Sequence, residues 1–418
     1  MGIRITSPQS AINRFLYKTN IDRSESNPFR LNTLPFNSQS FSMSSKYSVV
    51  RVVLCAALSM TATFVRADNS VAPSYDRYKN WLVACDNELN CDAKGFTTDQ
   101  RAQIEISRSA SAEDMGRVEI SAVSVGLFKF QDLRVDDQPL GLSSIGTVNS
   151  FGERGEGGGT ITSFLVASES GVRALIARLR NGSTLTFGTS SSPAIPLEGM
   201  VAALLRMDER QGRVGGPTAY IRPGPLPVGP GYPRVSIPDV MAVVVPRSIK
   251  EPQARQIGEI VRTSQAKVLA DSGCKPIQEP YVDDLNAEKV LVSFQCAQGV
   301  YRQSDETWEN GWSLLFVASR NGNSSEQLIL PLTKVLGFGP QWSDIKIYTN
   351  PQLAITNRRG YLAIRNYFRG KGDCGMDARW LWDGRQFHLS YLAYQDVCGG
   401  VKDGDWPILY RTHEHFPS

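Results

Sequence analysis

The sequence predicts an α+β fold, rich in β-strand, built as two small mixed domains joined by a proline-rich linker and braced by disulfides. Three observations predict it. Apolar residues alternate with period two in more segments than follow a helical period. Eight prolines crowd between Pro217 and Pro246. Six cysteines fall in three close pairs in the part of the chain after residue 67. The chain has 418 residues, 41% hydrophobic and 21% charged, which leaves ample material for a core.

The first domain is read over residues 74–221. Trp81 to Cys85, Ile104 to Ile106 and Val118 to Ile120 read as strands. The run Gly155 to Gly159 reads as a loop. Val172, Leu175, Ile176 and Leu179 repeat at i, i+3, i+4, i+7 and predict a helix, closed by Asn181-Gly182. A second helix is expected over Pro196 to Arg210, with Leu197, Met200, Val201, Leu204 and Leu205 as its apolar stripe. Residues 222–239 form the expected linker, since RPGPLPVGPGYP holds neither helix nor central strand.

The second domain is read over residues 240–418. Glu251 to Asp271 predicts a helix with Pro252 in its first turn and Ile257, Ile260, Val261, Val268 and Leu269 inward. Leu314 to Phe316 and Leu328 to Leu330 read as strands around an Asn321-Gly322 turn. Trp380 to Trp382 and Phe387 to Leu389 flank Asp383-Gly384, a strong hairpin signal. In that register Trp380, Trp382, Phe387 and Leu389 share one face, and His388 lies on the other. Trp308 and Trp312 stand at helical spacing and read as packing residues.

Ahead of the first domain, residues 1–42 are polar, without a clear period, and read as a non-native upstream extension. From Met43 the order changes. Lys46 and Arg51 precede the uncharged apolar run Val52 to Val65, and Val65-Arg66-Ala67 offers a cleavage site before Asp68. That is the order of a signal peptide, residues 43–67, cut after Ala67. The run is shorter than the roughly 20 residues a spanning helix needs, so no membrane span is expected in the mature chain. Cys55 belongs to the apolar run.

Eight of the 45 Lys/Arg and two of the 41 Asp/Glu lie in residues 1–67, leaving 37 basic and 39 acidic residues beyond. The pI of 8.6 therefore stems from the leader, and no basic bias remains to suggest nucleic acid. Cys85, Cys91, Cys274, Cys296, Cys374 and Cys398 are an even set in an exported chain and read as a disulfide framework. Short loops close most readily, which favours 85–91, 274–296 and 374–398. Cys85 and Cys91 are spaced too widely for the usual zinc pattern, and the chain has three histidines. No metal or cofactor is expected.

The pieces that carry a resemblance are W-L-V-A-C-D-N at 81–87 with Cys91, the run Met207 to Arg213, G-D-C-G at 372–375, W-L-W-D-G at 380–384, and Cys398. Together they resemble domain-of-unknown-function family 1176, exported bacterial proteins with six cysteines, over about Tyr75 to Arg411. The resemblance implies an envelope location and no particular reaction. One departure is visible. The family tends to C-x-x-G-A-Y-N after its fourth cysteine, where this chain has Cys296-Ala-Gln-Gly299-Val-Tyr301-Arg302.

Several motifs could carry chemistry. Gly370 to Gly375 matches G-x-G-x-x-G, but a hairpin rather than a helix follows, so a disulfide-braced turn accounts for it. Asp208, Arg210, Gln211 and Arg213 form a dense polar run, read either as a recognition site or as a solvated helix end. Trp380 and Trp382 could stack on sugars but fit the core better. His413-Glu414-His415 reads as a disordered tail. No G-x-S-x-G elbow occurs, and no catalytic residue is assigned. The expectation is a non-catalytic, binding or inhibitor-type protein that engages an envelope protein or polymer. The alternative is a periplasmic hydrolase of an envelope polymer, using carboxylates such as Asp373, Asp377 or Asp383.

Overall fold

In the computed structural model, the described residues run from 71 to 416, apart from 98–100, 125–128, 142–148, 155–159, 189–192, 227–235, 244–248, 299, 303–306, 310, 331, 333–359, 369–371 and 403. The expected upstream extension, the expected signal-peptide segment, the 155–159 glycine run and half of the expected linker thus lie outside the described residues.

The period-two segments of the first half build a seven-stranded antiparallel sheet. Its order is Ser74–Tyr78, Trp81–Cys85, Cys91–Phe96, Ala102–Arg108, Arg117–Ser124, Thr160–Val166 and Asn149–Arg154. One face is apolar: Val83, Ala93, Ile104, Ile106, Val118 and Ile120 are buried in a single cluster with residues of two helices. Helix α1 spans Glu169–Leu179, and Ser168 caps it by accepting from the Gly171 amide. Its buried positions Val172, Leu175, Ile176 and Leu179 are the predicted ones.

Helix α2 spans Met200–Arg210 and starts later than the sequence suggested. Pro196 ends a short strand, Ala194–Pro196, and Gly199 then turns the chain with φ 100°. A side chain at Gly199 would meet the Tyr78 carbonyl oxygen at 1.9 Å. The buried side also departs from the predicted stripe: Met200, Ala203, Leu204 and Met207 are buried, whereas Val201 is 39% exposed.

In the second half the expected long helix is two, α3 at Glu251–Ser264 and α4 at Ala266–Asp271, broken at Gln265. Ile257, Val261 and Leu269 pack with Val290, Val292, Phe294, Leu314 and Phe316 on one face of a four-stranded sheet. That middle sheet runs Tyr281–Asp284, Lys289–Ala297, Trp312–Ser319 and Ser325–Gln327. Leu291 and Leu315, on its other face, pack against the C-terminal sheet, made of Tyr361–Tyr367, Gly375–Trp382, Phe387–Gln395 and Ile408–Arg411. The hairpin around Asp383-Gly384 forms as expected, and Trp380, Trp382, Phe387 and Leu389 enter one core.

Three local expectations need correction. Trp308 and Trp312 are not on a helix; Thr307–Glu309 and Trp312–Ser319 are strands. The strand after Asn321-Gly322 is Ser325–Gln327, so Leu328 to Leu330 lie beyond it. His413–His415 is no tail: it pairs in parallel with Asp239–Met241, and His415 Nε2 lies 2.6 Å from Asp239 Oδ1.

The cysteines pair 85–91, 274–296 and 374–398, as short loop closure favours. The described residues belong to one compact unit, and hydrogen bonds link its two halves. The Tyr75 hydroxyl donates to Asp396 at 2.7 Å, and Gln103 Nε2 to Asp405 at 2.9 Å. No described helix is long and apolar enough to cross a membrane.

Candidate functional site

The polar run at the end of α2 turns inward. Asp208, Gln211 and Arg213 are fully buried. Asp208 Oδ1 accepts from Arg108 Nη2 at 2.7 Å, and its Oδ2 from the Tyr220 and Ile221 amides at 2.9 and 3.1 Å. Gln211 Oε1 accepts from Arg108 Nε at 2.6 Å, while its amide nitrogen donates to the Leu89 and Ser109 carbonyls at 2.7 and 3.0 Å. Arg213 donates to the carbonyls of Asp114 at 2.6 Å and Ser109 at 3.0 Å. Arg108 also stacks over the Tyr220 ring at 4.0 Å. Arg210 leaves the group and donates to the Ala72 carbonyl. The run is therefore neither a solvated end nor an open recognition surface. It is a hub that pins loops to the helix, as buried polar groups require.

The three carboxylates considered for hydrolysis do not converge. Asp373 and Asp383 flank the Gly375–Trp382 strand, about 30 Å apart at roughly 3.3 Å per residue. Asp377 pairs with Arg365 at 2.7 Å, and Asp383 takes the Arg385 and Gln386 amides and His388. Trp380 and Trp382 are buried and offer no stacking platform.

Carboxylates do gather on the second face of the seven-stranded sheet, a cluster that sequence reasoning missed. Lys94, Glu105 and Glu119 are lateral neighbours on three strands. Lys94, fully buried, meets Glu105 at 3.0 Å and Asp405 at 3.2 Å. Lys402 pairs with Glu119. Burial pushes the Glu105 carboxyl up to about 7, against the pull of Lys94. Burial alone would lower the Lys94 ammonium, but Glu105 and Asp405 outweigh it and hold the group charged. A lysine held charged is no nucleophile. Instead the cluster anchors the 396–405 segment, fastened by Cys374–Cys398, onto the sheet.

The outer face of the C-terminal sheet carries a polar patch between two covered ends, Gly375 against Trp406 and Leu381 packed with Val240 and Ala242. Strand alternation puts Met376, Ala378 and Trp380 into the core and Asp377 and Arg379 on the opposite side. Arg379, Tyr391 and Arg411 are neighbours across three strands, and Arg365 stands beside Asp377 in the next row. The Arg379 guanidinium lies 4.5 Å from the Tyr391 ring centre. Arg365 is 46% exposed. Arg411 Nη2 meets the buried Asp86 at 2.8 Å. Burial and Asp377 raise the Tyr391 phenol, so its hydroxyl stays a neutral donor, opposed by Arg379, Arg411 and Arg365. Arg365 thus meets Asp377, Arg411 meets Asp86 and Glu88, and Arg379 lies over the Tyr391 ring. The alternation in Gly375–Trp382 was a signal that could have found this patch, since it opposes Arg379 to Trp380 in a hairpin already expected.

No solved structure matches the chain at a significant level. The uncharacterized protein YpfG of Escherichia coli (strain K12) is 25% identical over 358 residues, which cover 82% of this chain and 94% of that protein. The family described as protein of unknown function (DUF1176) matches residues 75–413. With a match across that span, the chain belongs to the DUF1176 family of proteins of unknown function.

Proposed function

We propose that the protein is an exported, non-catalytic binding protein of the bacterial envelope. Three disulfides suit an oxidising compartment, and the basic, apolar and small-residue order of residues 43–67 suits export. One observation carries the binding reading: the row Arg379, Tyr391 and Arg411, with Arg365 and Asp377 alongside, stands on the outward face of a sheet whose inner face is packed core. Arginine and tyrosine are the residue types that anchor interfaces.

The test is affinity capture from envelope extract with the oxidised chain, run beside Arg379→Glu. A stoichiometric partner held by the wild type and lost by the charge reversal supports the reading. Turnover of an envelope polymer, abolished by substituting a carboxylate, would sink it. Intact mass of the exported material should place the N-terminus at Asp68; retention of residues 43–67 would refute cleavage.

A further inference from the structure

The parallel pair Asp239–Met241 and His413–His415 has an inward and an outward side. Inward, Val240 packs with Ala242 and Leu381, and Glu414, opposite Val240, accepts from the Tyr361 hydroxyl at 2.8 Å. The alternate positions, Asp239, Met241, His413 and His415, are all exposed. Strand faces repeat every second residue. Two histidines whose spacing fits no helical metal pattern therefore share one side here. The register sets Asp239 opposite His413 and Met241 opposite His415. Asp239 and His415 are already joined, Nε2 to Oδ1 at 2.6 Å, with side chains 67% and 48% exposed. Two imidazoles, a carboxylate and a thioether thus stand on one solvent-facing patch.

We propose that this patch binds a late transition-metal ion, Cu2+ or Zn2+, through His413, His415 and Asp239, with the Met241 thioether beside it. The donor set selects the ion. Imidazole nitrogens suit copper and zinc, and a thioether suits copper, whereas Ca2+ and Mg2+ ask for a shell of oxygens. Distances agree. Bonds of about 2.1 Å at a tetrahedral angle put two ligand atoms roughly 3.4 Å apart. An ion entering between Asp239 and His415 therefore parts them by less than about 1 Å. Same-face positions on a strand lie about 6.6 Å apart, within reach of two imidazoles that lean toward one ion. As the chain lies, no three such groups among the described residues are gathered around a point. His413 completes the set by turning about its side-chain bonds, which its exposure permits. The ion replaces the hydrogen between Nε2 and Oδ1; that proton moves to Nδ1 of a neutral ring, or to water from an imidazolium. The binding reading above neither requires this site nor fails with it.

The experiment titrates CuCl2, ZnCl2, CaCl2 and MgCl2 separately into the oxidised full chain at neutral pH, with Cys55 blocked, and reads the heat of binding. The expected result is a single site for Cu2+ or Zn2+ and none for Ca2+ or Mg2+. His413→Gln and His415→Gln should each weaken it by about tenfold or more, and Asp239→Asn should weaken it less. Glutamine at 415 keeps a donor for Asp239, so the strand pairing stays and the far-ultraviolet circular dichroism should match the wild type. His388→Gln, at the third histidine of the chain, should leave the affinity unchanged. Absence of Cu2+ and Zn2+ binding overturns the proposal, as does equal affinity in wild type, His413→Gln and His415→Gln, or a loss confined to His388→Gln. Electron paramagnetic resonance of the Cu2+-loaded wild type tests the site without a variant. Coupling to two imidazole nitrogens is expected; coordination by oxygen alone overturns the assignment.

Discussion

The side chain of Asn87 pairs with the backbone of Arg411 as a neighbouring strand would. Asn87 Nδ2 donates to the Arg411 carbonyl at 2.9 Å, and Asn87 Oδ1 accepts from the Arg411 amide at 2.9 Å. Asn87 sits in the loop closed by Cys85–Cys91 and is buried. One amide thus covers the edge of the C-terminal sheet from the N-terminal half. Asn87→Ala leaves both Arg411 backbone groups unpaired. The expected cost is about 2–4 kcal/mol, read as a lower urea midpoint; an unchanged midpoint would show that the pairing adds nothing.

The Arg108–Asp208 pair is buried on both sides. Removing one partner strands the other charge, so Asp208→Ala should cost about 3–5 kcal/mol. Asp208→Asn keeps an acceptor for the Tyr220 and Ile221 amides and should cost less. Equal losses in the two variants would mean that shape, not charge, matters here.

Glu105 makes stability depend on pH. Its folded value, about 7, lies above its ordinary 4.5. Between those values the folded state holds a proton that the unfolded chain has released. The contribution is full below about pH 4.5 and lost as pH rises through about 7. Glu105→Gln should flatten the fall in urea midpoint between pH 5 and pH 8, by an amount on the order of 2 kcal/mol. Parallel curves for wild type and variant would discard this account. Asp405, held below its usual range because Lys94 and Gln103 outweigh its burial, works oppositely. Its contribution is present above its ordinary value and lost as pH falls through its lowered one.

Cys374–Cys398 fastens the segment that covers the Lys94 cluster. Replacing both cysteines with alanine should cost about 2–4 kcal/mol and speed amide exchange in residues 396–405. Exchange that stays slow would show that the Lys94 and Lys402 ion pairs hold the segment alone.

The sequence was legible where local physics decides. Strands such as Trp81–Cys85 and the hairpin at Asp383-Gly384 follow from alternation and turn chemistry, and short loop closure names the disulfides. Helix α2 was legible as a helix but not in its start, because Gly199 packs against Tyr78, a residue distant in sequence. The run Met207 to Arg213 was misread because charge density marks polarity, not exposure. Its partners Arg108 and Tyr220 lie on other elements.

By itself, then, the sequence determined strand and helix character, the pairing of cysteines close along the chain, and membership of a family without an assigned role. Those follow from interactions between near neighbours. Only the tertiary structure decided which charges are enclosed and which face outward. Lys94 meets Asp405, and Asn87 meets Arg411, across more than three hundred residues. No periodicity carries a contact of that range, because burial is set by what the other half of the chain places on top.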